Sequence, residues 1–471
     1  MVANIYFGSQ ETSRQELTQR LSPYSGEVVS MAAVCNADDA KKALLIAKEA
    51  SKETKKITIA HRYSCLLDFA QKLRETKEDM AKIITDEVGK PIAFSRVEVE
   101  RCIETVTLCA ETMRTMHGET INTDAMSSGK KTTAFFLRES AGVVVAITPF
   151  NFPLNLVAHK LAPALVAGNA VVLKPTPEAP LSAYKFAKLF IESKYALQDA
   201  HSVVYGDAEV GGALVSSDIP RVISFTGSVP VGNIIAKSAG IKKVSLELGG
   251  NAATYIDESA DLDLAASRCA IGAFVNSGQV CISLQRIYVN AKIYDAFAQK
   301  MAQQTKKLVV GSPYDDDTFM GPLIDDEACK RAMGWVESAI EEGATAMLTP
   351  RVDGRLFYPC VMTDVRDDMA IVCEEVFAPI VSLVKVESFD DALPRINNSP
   401  YGLQFSIFTN DLSLTKRAIY ELDAGGVVIN DMPTLRFDIQ PYGGVKLSGV
   451  GREGPRFAIE EMSEIKSVVI C

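Results

Sequence analysis

The sequence predicts an α/β protein of two lobes, with extended strands set apart as an arm. Three observations carry that prediction. After Glu139 the chain alternates continuous apolar, β-branched runs with helical segments, the signature of a parallel sheet covered on both faces. A second alternation runs from Ala252 to about Ile429, with strands at Arg286 to Val289 and Ile380 to Val384. At 471 residues, 47% of them hydrophobic, the chain is long enough for two or three domains with sizeable cores.

From Asp38 to about Met116, apolar residues recur at helical spacing, as in Leu66, Leu67, Phe69, Ala70 and Leu73, with Lys and Glu on the other faces. Gly89-Lys90-Pro91 interrupts this region, because proline disfavours a helical residue before it. From His117 to Arg138 the character changes to a turn at Ser127-Ser128-Gly129 and a strand at Thr132 to Leu137. The first alternation then reads as strands at Gly142 to Ile147, Ala170 to Leu173, Val203 to Tyr205, Val210 to Val215 and Val222 to Phe225, with helices at Leu154 to Val166, Ala183 to Ser193 and Val231 to Ala239. Glu460 to Cys471 ends in an apolar strand that needs a partner.

Several classes are disfavoured by composition. The net charge of −10 is spread along the chain, which argues against a nucleic-acid or anionic-membrane surface and for small-molecule partners. No segment reaches the roughly 18 uninterrupted apolar residues of a membrane span, and a cytoplasmic location is expected. Ten cysteines without a CxxC pair fit reduced thiols, and four scattered histidines predict no metal.

The chemistry centres on Cys281, in Gly278-Gln279-Val280-Cys281-Ile282-Ser283, and Glu247, in Leu246-Glu247-Leu248-Gly249-Gly250. A thiolate is a strong nucleophile, and a carboxylate can activate the water that releases a captured acyl group. A small buried thiol is the competing reading of Cys281. Phe225-Thr226-Gly227-Ser228 leaves a strand and enters a helix beginning near Pro230, so free N–H groups would face an anion such as a phosphate. Gly449 to Gly454 matches GxGxxG but lies too near the C-terminus for a following βαβ unit, and is rejected as a nucleotide fingerprint.

These stretches, with Thr148-Pro149-Phe150-Asn151-Phe152-Pro153, Lys174-Pro175-Thr176, Glu374 to Pro379 and Pro441 to Lys446, resemble the aldehyde dehydrogenase superfamily over nearly the whole chain, nearest the lactaldehyde and non-phosphorylating glyceraldehyde-3-phosphate branch. The resemblance implies a Rossmann-type cofactor domain (1–117 and 141–248), an α/β catalytic domain (249–446) and an oligomerisation arm (118–140 and 447–471) forming a homodimer or homotetramer. It implies that Cys281 attacks an aldehyde, that Asn151 and the Cys281 N–H hold the oxyanion, that NAD or NADP takes the hydride, and that Glu247 activates water against the thioester. Cofactor contacts are implied at Thr148, Pro149, Phe150, Lys174, Thr176, Pro177, Gly206, Gly211, Phe225, Thr226, Gly227, Ser228 and Val231, and at Leu248, Gly249, Glu375 and Phe377. Where many NAD-preferring members carry glutamate three residues after the lysine, this chain has Pro177, with Glu178 one step later, which leaves room for NADP.

For the substrate, Asn155, His159, Val280, Ile282 and Arg436 are the pocket residues implied, and their polarity suits a small hydroxylated or anionic aldehyde. Arg436 is the expected anion reader, since a guanidinium fork matches carboxylate, phosphate or sulfonate. Val280 stands where phosphate-binding relatives carry arginine, which speaks against a strongly phosphorylated substrate. Succinic semialdehyde or broad-specificity aliphatic oxidation, a cofactor-free thiol hydrolase and a catalytically silent relative are the alternatives.

Overall fold

Residues 1–471 are all described by the computed structural model. The N-terminal region forms four helices, Ala37–Thr54, Ile59–Glu75, Lys77–Val88 and Ile92–Thr115. The first is fixed by a capping box: the Asn36 side chain accepts from the backbone of the first turn while Asp39 accepts from the Asn36 N–H. The break at Gly89-Lys90-Pro91 is a left-handed cap: Gly89 has φ +69°, and a Cβ there would strike Pro322.

Eight strands form the first sheet, in the order Gly449–Val450, Lys243–Glu247, Val222–Thr226, Val143–Ile147, Ala170–Lys174, His201–Val203, Ile5–Phe7 and Gln10–Thr12. The central five are parallel and carry the buried β-branched runs of the sequence. From Val143–Ile147 the chain builds outward in one direction and then, starting with Val222–Thr226, in the other. The carboxyl ends of these two neighbours therefore face the crevice where open α/β sheets bind ligands. A second, seven-stranded sheet contains Ile380–Val386, Leu284–Asn290, Ala252–Ile256 and Gln404–Phe408 at its centre, all parallel. The two sheets have separate hydrophobic cores.

Two expectations change. Val210 to Val215 is not a strand but lies in the helix Ala208–Ser216, where the Asp207 side chain accepts from Glu209 N and caps the first turn. Val210, Leu214 and Val215 bury one face at helical spacing, so tertiary packing overrides the β-branched bias. Gly449–Val450 does not join the arm: it pairs antiparallel with Lys243–Glu247, with Gly449 opposite Glu247. The arm itself pairs Ser463–Ile470 with Thr133–Ser140, whose other edge pairs with Glu119–Thr120, leaving one edge of Ser463–Ile470 open and Ile465, Val469 and Ile470 exposed.

Candidate active site

A cavity of about 870 Å³ runs from the carboxyl ends of the first sheet to the loop that carries Cys281. That loop is held under strain. Asn276 and Ser277 both adopt left-handed backbone, φ +52° and +54°, at a cost of about 1–3 kcal/mol each. Side chains offset it: the Ser277 hydroxyl donates to Gly321 O at 2.8 Å, and Gln279 Oε1 accepts from Ile324 N at 3.0 Å. The turn delivers Cys281 to the cavity, with Val280 and Ile282 lining its wall beside it.

Burial pushes the Cys281 thiol up to about 12, against a downward pull from the Tyr442 hydroxyl, 3.2 Å from the sulfur. Glu247 ends its strand inside the same cavity, buried, with neither carboxylate oxygen hydrogen-bonded. Burial, reinforced by the nearby Glu453 carboxylate, holds Glu247 well above the ordinary carboxyl range. Asn151 lies at the mouth of the Cys281 loop; its Nδ2 donates to Gln279 O at 3.0 Å, which leaves the second amide proton of that nitrogen unassigned.

At the cofactor end, the hydroxyls of Thr148 and Thr226 are buried in the cavity wall without a partner. Ser228 precedes the helix Val229–Ser238 and makes no side-chain cap, so its hydroxyl and the first helical N–H groups are available. Glu375 accepts from Gly250 N at 3.0 Å, and a Cβ on Gly249 would collide with its carboxylate. Burial brings Glu375 to about 7. Phe377, at φ +48°, meets the edge of Phe150 with centroids 6.0 Å apart. Lys174, Thr176, Pro177 and Glu178 cluster beyond the sheet end, where the Thr176 hydroxyl bonds the Glu178 carboxylate. Pro149, Gly211, Phe225, Gly227, Val231 and Leu248 line the cavity as well. Unpartnered hydroxyls, free helix N–H groups and the Glu375 carboxylate are donors and acceptors that fit a dinucleotide. Gly206 is the exception. It sits away from the cavity, at φ +135° against Val210 and Cys35 O, where it shapes the turn before the helix.

The substrate end differs from expectation at two residues. His159 does not line the cavity: it is buried behind the wall, bonded to Asp438 Oδ1 at 2.9 Å, and burial keeps it below its ordinary value and neutral. Arg436 lines the cavity, but its charge is engaged. Its Nη2 donates to Glu453 Oε2 at 3.0 Å, and its guanidinium lies 3.7 Å from the Tyr442 ring centre. Neither partner could be inferred from residues beside Arg436 in sequence. Asn155 lines the wall, accepting from Thr105 Oγ1 at 3.1 Å.

Five further residues complete this end: Lys90, Glu98, Arg101, Tyr442 and Glu453. Lys90 pairs with Glu98, whose other oxygen accepts from Leu154 N and Asn155 N and so anchors the start of the helix behind Asn151. Arg101 forms a bidentate pair with Asp438, both contacts 2.8 Å. Burial alone would raise Asp438, but the bonds from His159 and Arg101 hold it far below the usual range. Glu453 accepts from Lys160 Nζ at 3.1 Å, and Lys160 and Arg436 outweigh burial to bring it down to about 2. The only sequence signal for Arg101 is its i,i+3 spacing from Glu98 on one helix, while Glu453 falls inside the rejected GxGxxG stretch.

The aldehyde dehydrogenase family model matches residues 9–468. The chain is 43% identical over 467 residues to 3-sulfolactaldehyde dehydrogenase of Priestia aryabhattai, covering 98% of this chain and 96% of the relative. It is 38% identical to lactaldehyde dehydrogenase of Methanococcus aeolicus, over 95% of this chain and 96% of the relative. Among solved structures, the NADP complex of the NADP-dependent glyceraldehyde-3-phosphate dehydrogenase of Bacillus halodurans superposes with a TM-score of 0.97 at 34% identity, covering 100% of this chain and 99% of that one. Aldehyde dehydrogenase 21 of Physcomitrella patens, in complex with the reaction product succinate, gives 0.96 at 34% identity, covering 100% and 98%. On fold, motif order and full-length identity alike, the chain belongs to the aldehyde dehydrogenase family.

Proposed function

We propose that the chain oxidises a small hydroxylated or anionic aldehyde to its carboxylic acid and accepts NADP. The observation that carries this reading is the make-up of one wall, where the Cys281 thiol and the unpartnered Glu247 share a cavity with Arg101. Asp438 takes two of the Arg101 nitrogens, yet the side chain is still 27% exposed, so its outer edge can meet an anion. Arg101 thus takes the role first expected of Arg436. The relatives named for sulfolactaldehyde and lactaldehyde support a polar substrate, and the product succinate held by aldehyde dehydrogenase 21 supports an anionic one.

The chemistry follows from the side chains. The deprotonated Cys281 sulfur adds to the aldehyde carbon, and the carbonyl π pair moves to oxygen under the Asn151 amide and the Cys281 N–H. NADP or NAD, when bound, supplies the hydride acceptor, and the substrate is left as a thioester. Glu247 takes a proton from water as that water attacks the thioester; the C–S bond breaks and its electron pair returns to sulfur. A carboxyl group raised by burial is the stronger base for this step. Thr148, Thr226, Ser228 and Glu375 would hold the dinucleotide, and Pro177, which brings no carboxylate, would not oppose a 2′-phosphate on the adenosine ribose.

A domain division at 1–117 with 141–248, 249–446, and 118–140 with 447–471 is supported by the two separate sheets, although Gly449–Val450 pairs into the first sheet and Ile459 and Met462 pack in its core. The open edge of Ser463–Ile470 and its exposed apolar residues favour a homodimer or homotetramer. Ten free cysteines suit a cytoplasmic setting. The test compares initial rates for lactaldehyde, sulfolactaldehyde, succinic semialdehyde, glyceraldehyde 3-phosphate and hexanal, with NADP and NAD. A short hydroxylated or anionic aldehyde is expected to lead, with NADP accepted; hexanal leading with NAD alone would overturn the substrate and cofactor readings together.

A further inference from the structure

We propose that Tyr442 is a catalytic residue: its hydroxyl donates a hydrogen bond to the Cys281 sulfur whenever that sulfur carries charge, and Arg436 is the positioning residue that holds the phenol in place. This deepens the proposed function and rests on Cys281 as nucleophile.

The geometry leaves the phenol no other task. Tyr442 is buried, and the one hydrogen-bond partner of its hydroxyl is Cys281 Sγ, 3.2 Å away. With a neutral thiol either group can donate. Once the sulfur is ionised only the phenol has a proton to give, and burial keeps Tyr442 neutral by holding it well above its ordinary value. The other charged groups around the sulfur are Glu247, Glu375 and Arg436. The two carboxyl groups oppose a thiolate, and Arg436 is occupied by Glu453. Tyr442 is therefore the donor within reach.

Tyr442 is clamped from two sides, both involving Glu453. Its N–H donates to Glu453 O at 3.1 Å, and Glu453 N–H donates back to Tyr442 O at 2.7 Å. The Glu453 side chain holds Arg436, which stacks on the phenol ring. Sulfur carries charge twice in each turnover: before it adds to the aldehyde, and when the C–S bond of the hydrated thioester breaks and the electron pair returns to it. The same hydrogen bond serves both moments, and no atom of Tyr442 is consumed.

The test is alkylation of the cofactor-free enzyme by iodoacetamide from neutral to alkaline pH, read peptide by peptide. Tyr442→Phe keeps the ring and removes the donor. Alkylation of Cys281 is expected to slow by about tenfold at each pH below the thiol's titration, because a hydrogen bond to a charged group is lost. Cys373, partly exposed and not among the residues that line the Cys281 cavity, reports on global change and is expected to react as in the parent. An unchanged Cys281 rate, or equal slowing at Cys373, would overturn the proposal even if turnover fell. Arg436→Lys keeps the charge opposite Glu453 without the planar stack, and about two- to fivefold slowing is expected. No slowing there would remove the positioning role. Loss of activity in Cys281→Ala tests the nucleophile separately.

Discussion

At the cofactor end of the cavity the wall is made of hydroxyls, backbone N–H groups and glycines at the ends of parallel strands, while the substrate end is packed with acidic and basic side chains in pairs. Lys90 faces Glu98, Arg101 faces Asp438, and Lys160 with Arg436 shares Glu453. The first end waits for a ligand to satisfy it. The second holds most of its charged groups in pairs, and among its carboxylates Glu247 alone has no hydrogen-bond partner. Pairing lowers Glu453 to about 2, and isolation raises Glu247 well above the ordinary range, although the two lie in one cavity. Two glutamates of identical chemistry are thus separated into a fixed counter-ion and a base free to exchange protons.

Exchanging the partnerless carboxylate tests that contrast most severely. In Glu247→Gln, turnover is expected to fall by about 10²–10⁴-fold, the usual range for a lost general base. With Glu247 acting on the water of the hydrolytic step, a burst of reduced cofactor stoichiometric with enzyme should persist in the variant and then stop. A steady rate like the parent's would show that water is activated elsewhere.

The paired glutamate should respond in stability. Glu453→Gln leaves Lys160 and Arg436 buried without their shared charge, a loss of about 3–5 kcal/mol in urea unfolding. Because the folded Glu453 titrates near 2, below the roughly 4.3 of an unfolded glutamate, its contribution is complete above the unfolded value and lost as pH falls through about 2. The variant's stability is therefore expected to be flatter across that acid window. An identical acid limb would mean that Glu453 is not the titrating partner.

The two ends were also unequally legible in the sequence. Cofactor-end residues come from short contiguous stretches that follow strands; a strand-to-helix reading reaches Phe225 to Ser228 from the residues themselves, while Thr148 and Gly249 come from the family resemblance. Gly206, implied by the same resemblance, shapes the neighbouring turn and does not face the cavity. Substrate-end residues act through partners far away in the chain: Asp438 lies 279 residues from His159 and 337 from Arg101. Arg436 looked free because Glu453 is hidden in a glycine-rich stretch, correctly refused as a nucleotide motif, whose structural role is to pair with the Glu247 strand and bring a carboxylate to the site. The helix Ala208–Ser216 was missed because its β-branched residues outweighed the Asp207 cap in a local reading.

The smallest effect lies where the cofactor end does carry a charge. Glu178 is held by the Thr176 hydroxyl and contributes attraction to Lys174, whose own value burial lowers. A carboxylate there repels a 2′-phosphate by about 1 kcal/mol in a water-exposed setting. Glu178→Gln is therefore expected to raise the ratio of kcat/KM for NADP to that for NAD by about three- to tenfold, with the aldehyde's KM unmoved. An unchanged ratio would place Glu178 outside the reach of the ribose, and NADP acceptance would then depend on Pro177 and Lys174 alone.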